Sequence, residues 1–265
     1  MRCKKTLTVQ DSPSIRTELS ETNKSLASDS IVTDRKVRFV MYLFSDGPRE
    51  YDFLLKMLSL GRDWYWRRNV IEEAHVEKGG RVLDIACGTG LLSYQFAASG
   101  VEVVGVDVTR EMLTRAQKLE PYSYHAVDYI QARAENLPLR SDCFDAAVIS
   151  LATRNLSNVE DSFDEMQRCV KTDRKIISMD FTRPRSQVFR PFYYFYIFRV
   201  MPSLGMIISR HWNGIFLYLA NSIKRSRTPE QIAGIMNSLG LSDLSVKRMT
   251  QGVTALVSGR KSQAA

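Results

Sequence analysis

The chain has 265 residues, a 44% hydrophobic and 25% charged composition, and only 14 glycines and 8 prolines. Those proportions describe a globular protein and exclude a collagen-like or wholly disordered one. The net charge of +8 is uneven: +3 over residues 1–40, −5 over residues 41–182 and +10 over residues 183–265. A basic C-terminal third on a slightly acidic body points to one face that meets something anionic. The four cysteines (Cys3, Cys87, Cys143, Cys169) have neither paired nor metal-like spacing, so no metal site or disulfide framework is expected. In the most apolar region the longest uncharged run is His211–Ile223, 13 residues. A membrane span needs about 20, so none is expected.

Residues 1–30 are rich in Ser, Thr, Asn and acids and read as a disordered tail, with no apolar stretch of a secretory signal. Residues 31–265 read as a single domain. Its first part, 31–80, is helical: Phe39, Leu43, Leu54, Leu58, Trp66 and Val70 recur at roughly helical spacing, broken by a turn at Asp46-Gly47-Pro48. From Arg81 to 182 the rhythm changes to alternating strands and helices. Strands are expected at Arg81–Ala86, Glu102–Val106, Val127–Ala132, Phe144–Ser150 and Lys175–Phe181. Helices are expected at Leu91–Ala98, Arg110–Lys118 and Val159–Cys169. This is the pattern of a mostly parallel sheet with helices on both faces. Residues 183–228 form an insertion after the fifth strand that concentrates ten of the 26 aromatics between Val188 and Leu219. Thr228-Pro229-Glu230 then starts a closing helix, and strands at Leu244–Lys247 and Thr254–Ser258 bring the sheet to seven.

Chemistry concentrates at Asp84-Ile-Ala-Cys-Gly88-Thr89-Gly90, at the end of the first strand. Glycines there allow close backbone approach, and a helix N-terminus follows. Asp107 ends the second strand, where an acid accepts both hydroxyls of a ribose. The third glycine of a dinucleotide fingerprint is absent, and Asp84 would repel a diphosphate. S-adenosylmethionine carries a ribose, an ammonium and a sulfonium, and no phosphate, so it suits this loop. Asp84, Gly88, Gly90 and Asp107 are the cofactor residues expected here. Cys87 reads as a packing residue.

In this order and spacing, these motifs resemble the class I S-adenosylmethionine-dependent methyltransferases, a Rossmann-like α/β fold. Closer still is the likeness to the C-methyltransferases of ubiquinone and menaquinone biosynthesis, the UbiE/MenG family. It is carried by Tyr51-Asp52, Leu58-Ser59, Trp66, Leu83 to Gly90, Ala134 to Pro138, Arg154-Asn155, Phe195-Tyr196 to Pro202, Tyr218-Leu219, Ser222-Ile223 and Gly252 to Leu256. The resemblance implies that Thr89 contacts the cofactor, that Arg133 and Ala134 frame the adenine, that Ser150 lies under the cofactor, and that Arg154 belongs to the substrate pocket. It also implies methyl transfer to a ring carbon of a reduced isoprenoid quinone. Arginine stays protonated, so Arg154 would hold the phenolate or orient a water rather than act as a base. Tyr51 and Tyr218 would hydrogen-bond ring oxygens, and His75, His125 and His211 are alternative bases. The sequence departs from the family at Arg133, where Asn or Asp is usual, at Lys171-Thr172-Asp173-Arg174, where Lys-Pro-Gly-Gly is usual, and at Asp180, where Glu is usual.

The insertion interleaves Arg183, Arg185, Arg190, Arg199, Arg210, Lys224, Arg225 and Arg227 with its aromatics, a mixture that suits an anionic membrane surface. The expected setting is the cytoplasm, peripheral to the inner face of the membrane, with the mitochondrial matrix as the alternative. A homodimer is compatible with the sequence. Nucleic acid is not expected as a partner, because Ser150-Leu-Ala-Thr-Arg154-Asn155 lacks the clamp of base methyltransferases and no RNA-binding module is present. The rival readings are a methyltransferase of another hydrophobic small molecule and a non-catalytic cofactor-binding relative.

Overall fold

The computed structural model describes residues 35–42, 48–118, 127–208 and 210–262. The expected tail at 1–30 and His125 lie outside them, as does the side chain of His211. Seven strands form one sheet in the order β3-β2-β1-β4-β5-β7-β6. They are β1 Arg81–Ile85, β2 Glu102–Asp107, β3 Val127–Gln131, β4 Phe144–Ser150, β5 Val170–Phe181, β6 Leu241–Met249 and β7 Thr254–Lys261. The first five pair in parallel; β7 runs antiparallel to both β5 and β6. Parallel strands need both faces covered, so they are written as apolar runs. β4 is one: Ala146, Ala147, Val148 and Ile149 are all fully buried. The chain reverses its direction of strand addition between β1 and β4, and the carboxyl ends of these strands open on the crevice where such sheets hold ligands.

The N-terminal region is three helices: α1 at 35–42, α2 Pro48–Leu58 and α3 Asp63–Ala74. The second break falls at Leu60-Gly61, both with left-handed φ. α3 presses Trp66 into the core, where its indole N–H donates to Thr250 Oγ1 at 2.8 Å and its ring meets Phe181 edge-on. Along the sheet run α4 Leu91–Ala98, α5 Arg110–Gln117 and α6 Val159–Cys169. Asn158 caps α6 by accepting from the Asp161 N–H.

The insertion folds as α7 Phe189–Phe195, a π-helical turn Tyr196–Val200, α8 Met201–Ile208 and α9 Arg210–Arg225. Its buried positions Tyr193, Ile197, Met201 and Gly205 fall four apart. An α-helix turns 100° per residue, so that stripe would drift by about 120° over twelve residues. The π turn winds more widely and keeps it facing the core. Closing helix α10, Pro229–Ser238, starts with a capping box in which Thr228 and Gln231 satisfy each other's backbone, and Pro229 sits in the first turn.

Three strands are longer than their apolar patterns predict, and of these β7 simply continues past Ser258 to Lys261 in register with β5 and β6. β6 is an edge strand with mostly exposed side chains, so alternation marks only part of it. β5 begins directly after α6, and from Val170 to Lys175 it advances five residues while β4 advances two. The Lys171–Arg174 bulge is tied down by charge. Lys171 and Arg174 pair with Asp145, and Arg260 Nη1 donates to the Asp173 carbonyl at 2.7 Å.

Candidate active site

The first strand delivers its glycine loop over the end of the sheet. Gly90 caps α4 at φ +78°, and a Cβ there would meet Tyr129 Oη at 2.5 Å and Ala116 Cβ at 2.7 Å, so only glycine fits. Gly88, at φ +55°, has nothing within 4 Å of where its Cβ would be; its open side faces the cleft. Asp107 fastens the loop. Its Oδ2 accepts the Gly88 N–H at 2.9 Å and its Oδ1 the Thr109 N–H at 2.8 Å. Burial raises its pKa, and the bonds from Thr109 and Gly88 oppose that shift.

These elements bound an open cleft at the carboxyl ends of the strands. Gly88, Asp107, Arg133, Ala134 and Ser150 line it, as expected, and so do Glu135, Asn155 and Val37 and Val40 of α1. Thr89 and Gly90 stand behind Gly88. Thr89 is buried and its hydroxyl donates to Asp52 Oδ1 of α2 at 2.5 Å. Asp84 is not in the lining either. It is buried and accepts the Ser93 hydroxyl at 2.6 Å. Burial lifts its pKa to about 7; the Ser93 bond opposes the rise and the Asp107 charge adds to it. Cys87 Sγ lies against Gly105, a packing role.

The fit to S-adenosylmethionine rests on this chemistry. The open side of Gly88 admits a ligand to backbone contact, and the carboxylates of Asp107 and Glu135 face a space that suits a cationic ligand bearing ribose hydroxyls. Sequence reading left Glu135 out. Its Oε1 accepts the N–H groups of Ser157 and Asn158, and its Oε2 lies 3.5 Å from Arg133 Nε. Arg133 thus comes with its own acceptor nearby.

A second constellation sits beside the cleft. Arg154 lies in a short 3-10 turn after β4, with its side chain 3% exposed. Nη1 donates to Asp180 Oδ1 and to the Leu151 carbonyl, both at 2.5 Å, and Nε donates to Ser222 Oγ at 3.3 Å. Its backbone N–H donates to Asp180 Oδ2, and its guanidinium stacks 5.3 Å above the Phe181 ring. Burial works against its charge, but Asp180, with Tyr51 and Tyr218 adding to it, outweighs this and holds the pKa up. Asp180, noticed in the sequence only as a departure, is therefore the counter-ion of Arg154.

Tyr218 donates to Asn155 Oδ1 at 3.0 Å and meets Phe39 of α1 edge-on at 5.1 Å. Tyr51 lines the cleft. Both phenols are held up in pKa by burial and pulled the other way by the Arg154 charge, which places all three predicted substrate-side residues within one electrostatic neighbourhood. Tyr196 reaches from the insertion to the Met57 carbonyl of α2 at 2.8 Å. His75, by contrast, is exposed at the end of α3, away from the cleft. Among the described residues no cluster of His, Cys, Asp and Glu could hold a metal, and no helix is long and apolar enough to cross a membrane.

The sequence model of the ubiE/COQ5 methyltransferase family matches residues 31–261. The chain is 33% identical over 225 residues to the ubiquinone/menaquinone biosynthesis C-methyltransferase UbiE of Geobacter sulfurreducens, covering 83% of this chain and 87% of that one. It is 34% identical over 222 residues to the protein of the same name from Citrifermentans bemidjiense, covering 82% and 93%. Among solved structures, an S-adenosylmethionine-dependent methyltransferase from Thermotoga maritima superposes with a TM-score of 0.60 at 18% identity, covering 83% of this chain and 98% of that one. Phosphoethanolamine N-methyltransferase 2 of Haemonchus contortus, in complex with S-adenosyl-L-methionine, gives 0.59 at 16% identity, covering 91% and 61%. At those identities the structural likeness speaks for the fold alone.

Proposed function

Because the chain belongs to the ubiE/COQ5 methyltransferase family and is an S-adenosylmethionine-dependent methyltransferase, we propose that its substrate is a reduced isoprenoid quinone precursor, methylated at a ring carbon. The observation that carries this is Arg154, a buried cation held by Asp180 beside the cofactor cleft and among tyrosines. When bound, S-adenosylmethionine supplies a methyl group already activated by its sulfonium. What remains for the protein is to make the acceptor carbon electron-rich and to hold it in line. A hydroquinone becomes a carbon nucleophile when a ring hydroxyl loses its proton. A fixed guanidinium lowers the cost of that loss, because it meets the developing phenolate without reorganising. Asp180 and the Leu151 carbonyl fix Arg154 in place, and Tyr51, on the cleft wall, is positioned to bond a ring oxygen.

The isoprenoid tail and the membrane belong to the same proposal. Val188, Phe192, Phe195, Met206 and Ile207 of the insertion are all more than 60% exposed, and Arg190 and Arg199 are exposed among them. This mixture favours an anionic bilayer surface, with the enzyme peripheral to the inner face of the membrane. Sedimentation with anionic and with neutral vesicles tests it, anionic vesicles being expected to retain more protein. Homodimerisation is part of this reading and is tested by analytical ultracentrifugation across concentration.

The deciding experiment for the substrate is transfer of labelled methyl from S-adenosylmethionine to short-chain demethylmenaquinol and to the corresponding methoxy-benzoquinol. Turnover on either supports the reading and names the head group. Tight cofactor binding with no transfer to either quinol refutes it.

A further inference from the structure

Three buried side-chain polar atoms lack a hydrogen-bond partner among the described residues: Arg115 Nε, Tyr193 Oη and Thr254 Oγ1. A buried polar atom without a partner is costly and rare in native structures, so each calls for a reason. Thr254 opens β7 inside the sheet and is wholly enclosed. Arg115 lies on α5 and does not line the cleft. Tyr193 is different. It projects from α7 of the substrate-side insertion and is 7% exposed, in the apolar cluster that also holds Leu151 and Phe181. Those two residues are the immediate neighbours of Arg154: one accepts from its Nη1 and the other underlies its guanidinium.

Arg154 itself has spare capacity. Its bonds to Asp180, Leu151 and Ser222 use Nη1 and Nε, and none of them uses Nη2. The nearby phenol of Tyr218 is already committed to Asn155. The Tyr193 phenol feels both the Arg154 and the Asp180 charges, and burial raises its pKa, so it stays a neutral donor at working pH. A buried neutral hydroxyl donor and a guanidinium edge that none of those bonds uses are what an aryl oxyanion requires.

Resting on the quinol reading above, we propose that the Tyr193 hydroxyl donates a hydrogen bond to the ring oxygen of the bound quinol as that oxygen becomes anionic, sharing it with Arg154 Nη2. In the free enzyme the hydroxyl is left unpaired, and the substrate supplies its partner. The residue is then a catalytic donor whose absence costs turnover and does not cost stability.

Tyr193→Phe removes the oxygen alone. With the quinol that the wild type methylates, kcat is expected to fall on the order of 10²-fold. The acid limb of the pH–rate profile should move up by roughly one to two units, because the anion has lost a stabilising donor. The affinity for S-adenosylmethionine and the Tm should not fall, since the hydroxyl holds nothing in the free protein. A kcat within about threefold of wild type overturns the proposal. So does a kcat that falls together with Tm and cofactor affinity, because the hydroxyl would then be holding the fold. Fluorotyrosine at position 193 keeps the donor and changes its acidity: kcat should be largely retained and the acid limb displaced, and an unmoved limb also overturns the proposal. If the wild type itself transfers nothing to either quinol, the substrate reading falls first and this inference with it. Wild-type turnover with an indifferent variant removes this inference alone.

Discussion

The cofactor half and the substrate half of the site are built differently. Around Gly88 and Asp107 the bonds run from one side chain to nearby backbone, as from the Gly88 and Thr109 N–H groups, 19 and 2 residues from Asp107. Around Arg154 the bonds join side chains from distant elements: Asp180 is 26 residues away, Ser222 is 68, and Tyr218 reaches Asn155 across 63. The first half is a property of two strand ends. The second starts from a pair at the ends of β4 and β5 and is completed by Ser222 and Tyr218 only once the insertion has folded onto those strands. Damage to one should therefore leave the other standing, and the most informative variants test that independence.

The largest effect is expected at Arg154. Arg154→Ala should lower kcat by about 10³-fold, near the upper end for loss of a charge-stabilising donor, with cofactor affinity unchanged by titration calorimetry. It also leaves Asp180 buried without its partner, so Tm should drop; Arg154→Ala with Asp180→Asn should recover Tm without recovering kcat. Next is Asp107→Ala, which strips the glycine loop of its anchor and removes the carboxylate expected to accept the ribose hydroxyls. Cofactor Kd should rise about 10²-fold, while the environment of Tyr218, read by near-ultraviolet circular dichroism, stays as it was. If the substrate side collapses too, the two halves are coupled.

A smaller, pH-dependent effect belongs to Asp84. Its folded pKa of about 7 lies above the ordinary carboxylate range, for which burial is the chief cause. The native state then binds the proton more tightly than the unfolded chain does. The stability this contributes is complete below about pH 4 and is lost as the pH rises to about 7, a change on the order of 4 kcal/mol. Urea melts of wild type and Asp84→Asn should converge at low pH relative to this loss and differ most in pH slope between those limits; equal slopes would contradict the shift. The smallest effect is at Tyr218→Phe, where a single hydrogen bond to Asn155 is removed. About 1 kcal/mol, or a roughly fivefold fall in kcat/KM, is expected, with Tm changed by only a few degrees.

The same contrast decides what could be read before folding. Strands β1, β2 and β4 were legible because they are apolar runs, and Gly88 and Asp107 were placed at strand ends that converge on one cleft, while Arg133, Ala134 and Ser150, which line the same cleft, came from family likeness. The start of α10 was legible from Thr228-Pro229, a local signal. Arg154, Tyr51 and Tyr218 came from family likeness, and nothing in their spacing announced them. Asp180 was visible only as an unusual residue, since its partner lies on another strand end. Asp52 and Glu135 were missed as members of the site because each acts through a loop that it touches only in three dimensions. Asp84 was expected to face the ligand and instead turns inward to Ser93, a choice made by packing.

The π turn at Tyr196–Val200 carries a consequence for how this chain tolerates insertions and deletions. Its buried stripe repeats every four residues from Tyr193 to Gly205. Deleting one residue inside the turn would leave eleven steps for three repeats, about 3.7 each, which an ordinary α-helix accommodates. The wide turn is where the helix stores one residue more than its core-facing register needs. Related chains can differ in length there by one without moving Tyr193 or Gly205 out of the interior, and alignments across the insertion should place their single-residue gaps in that turn rather than in the helices on either side.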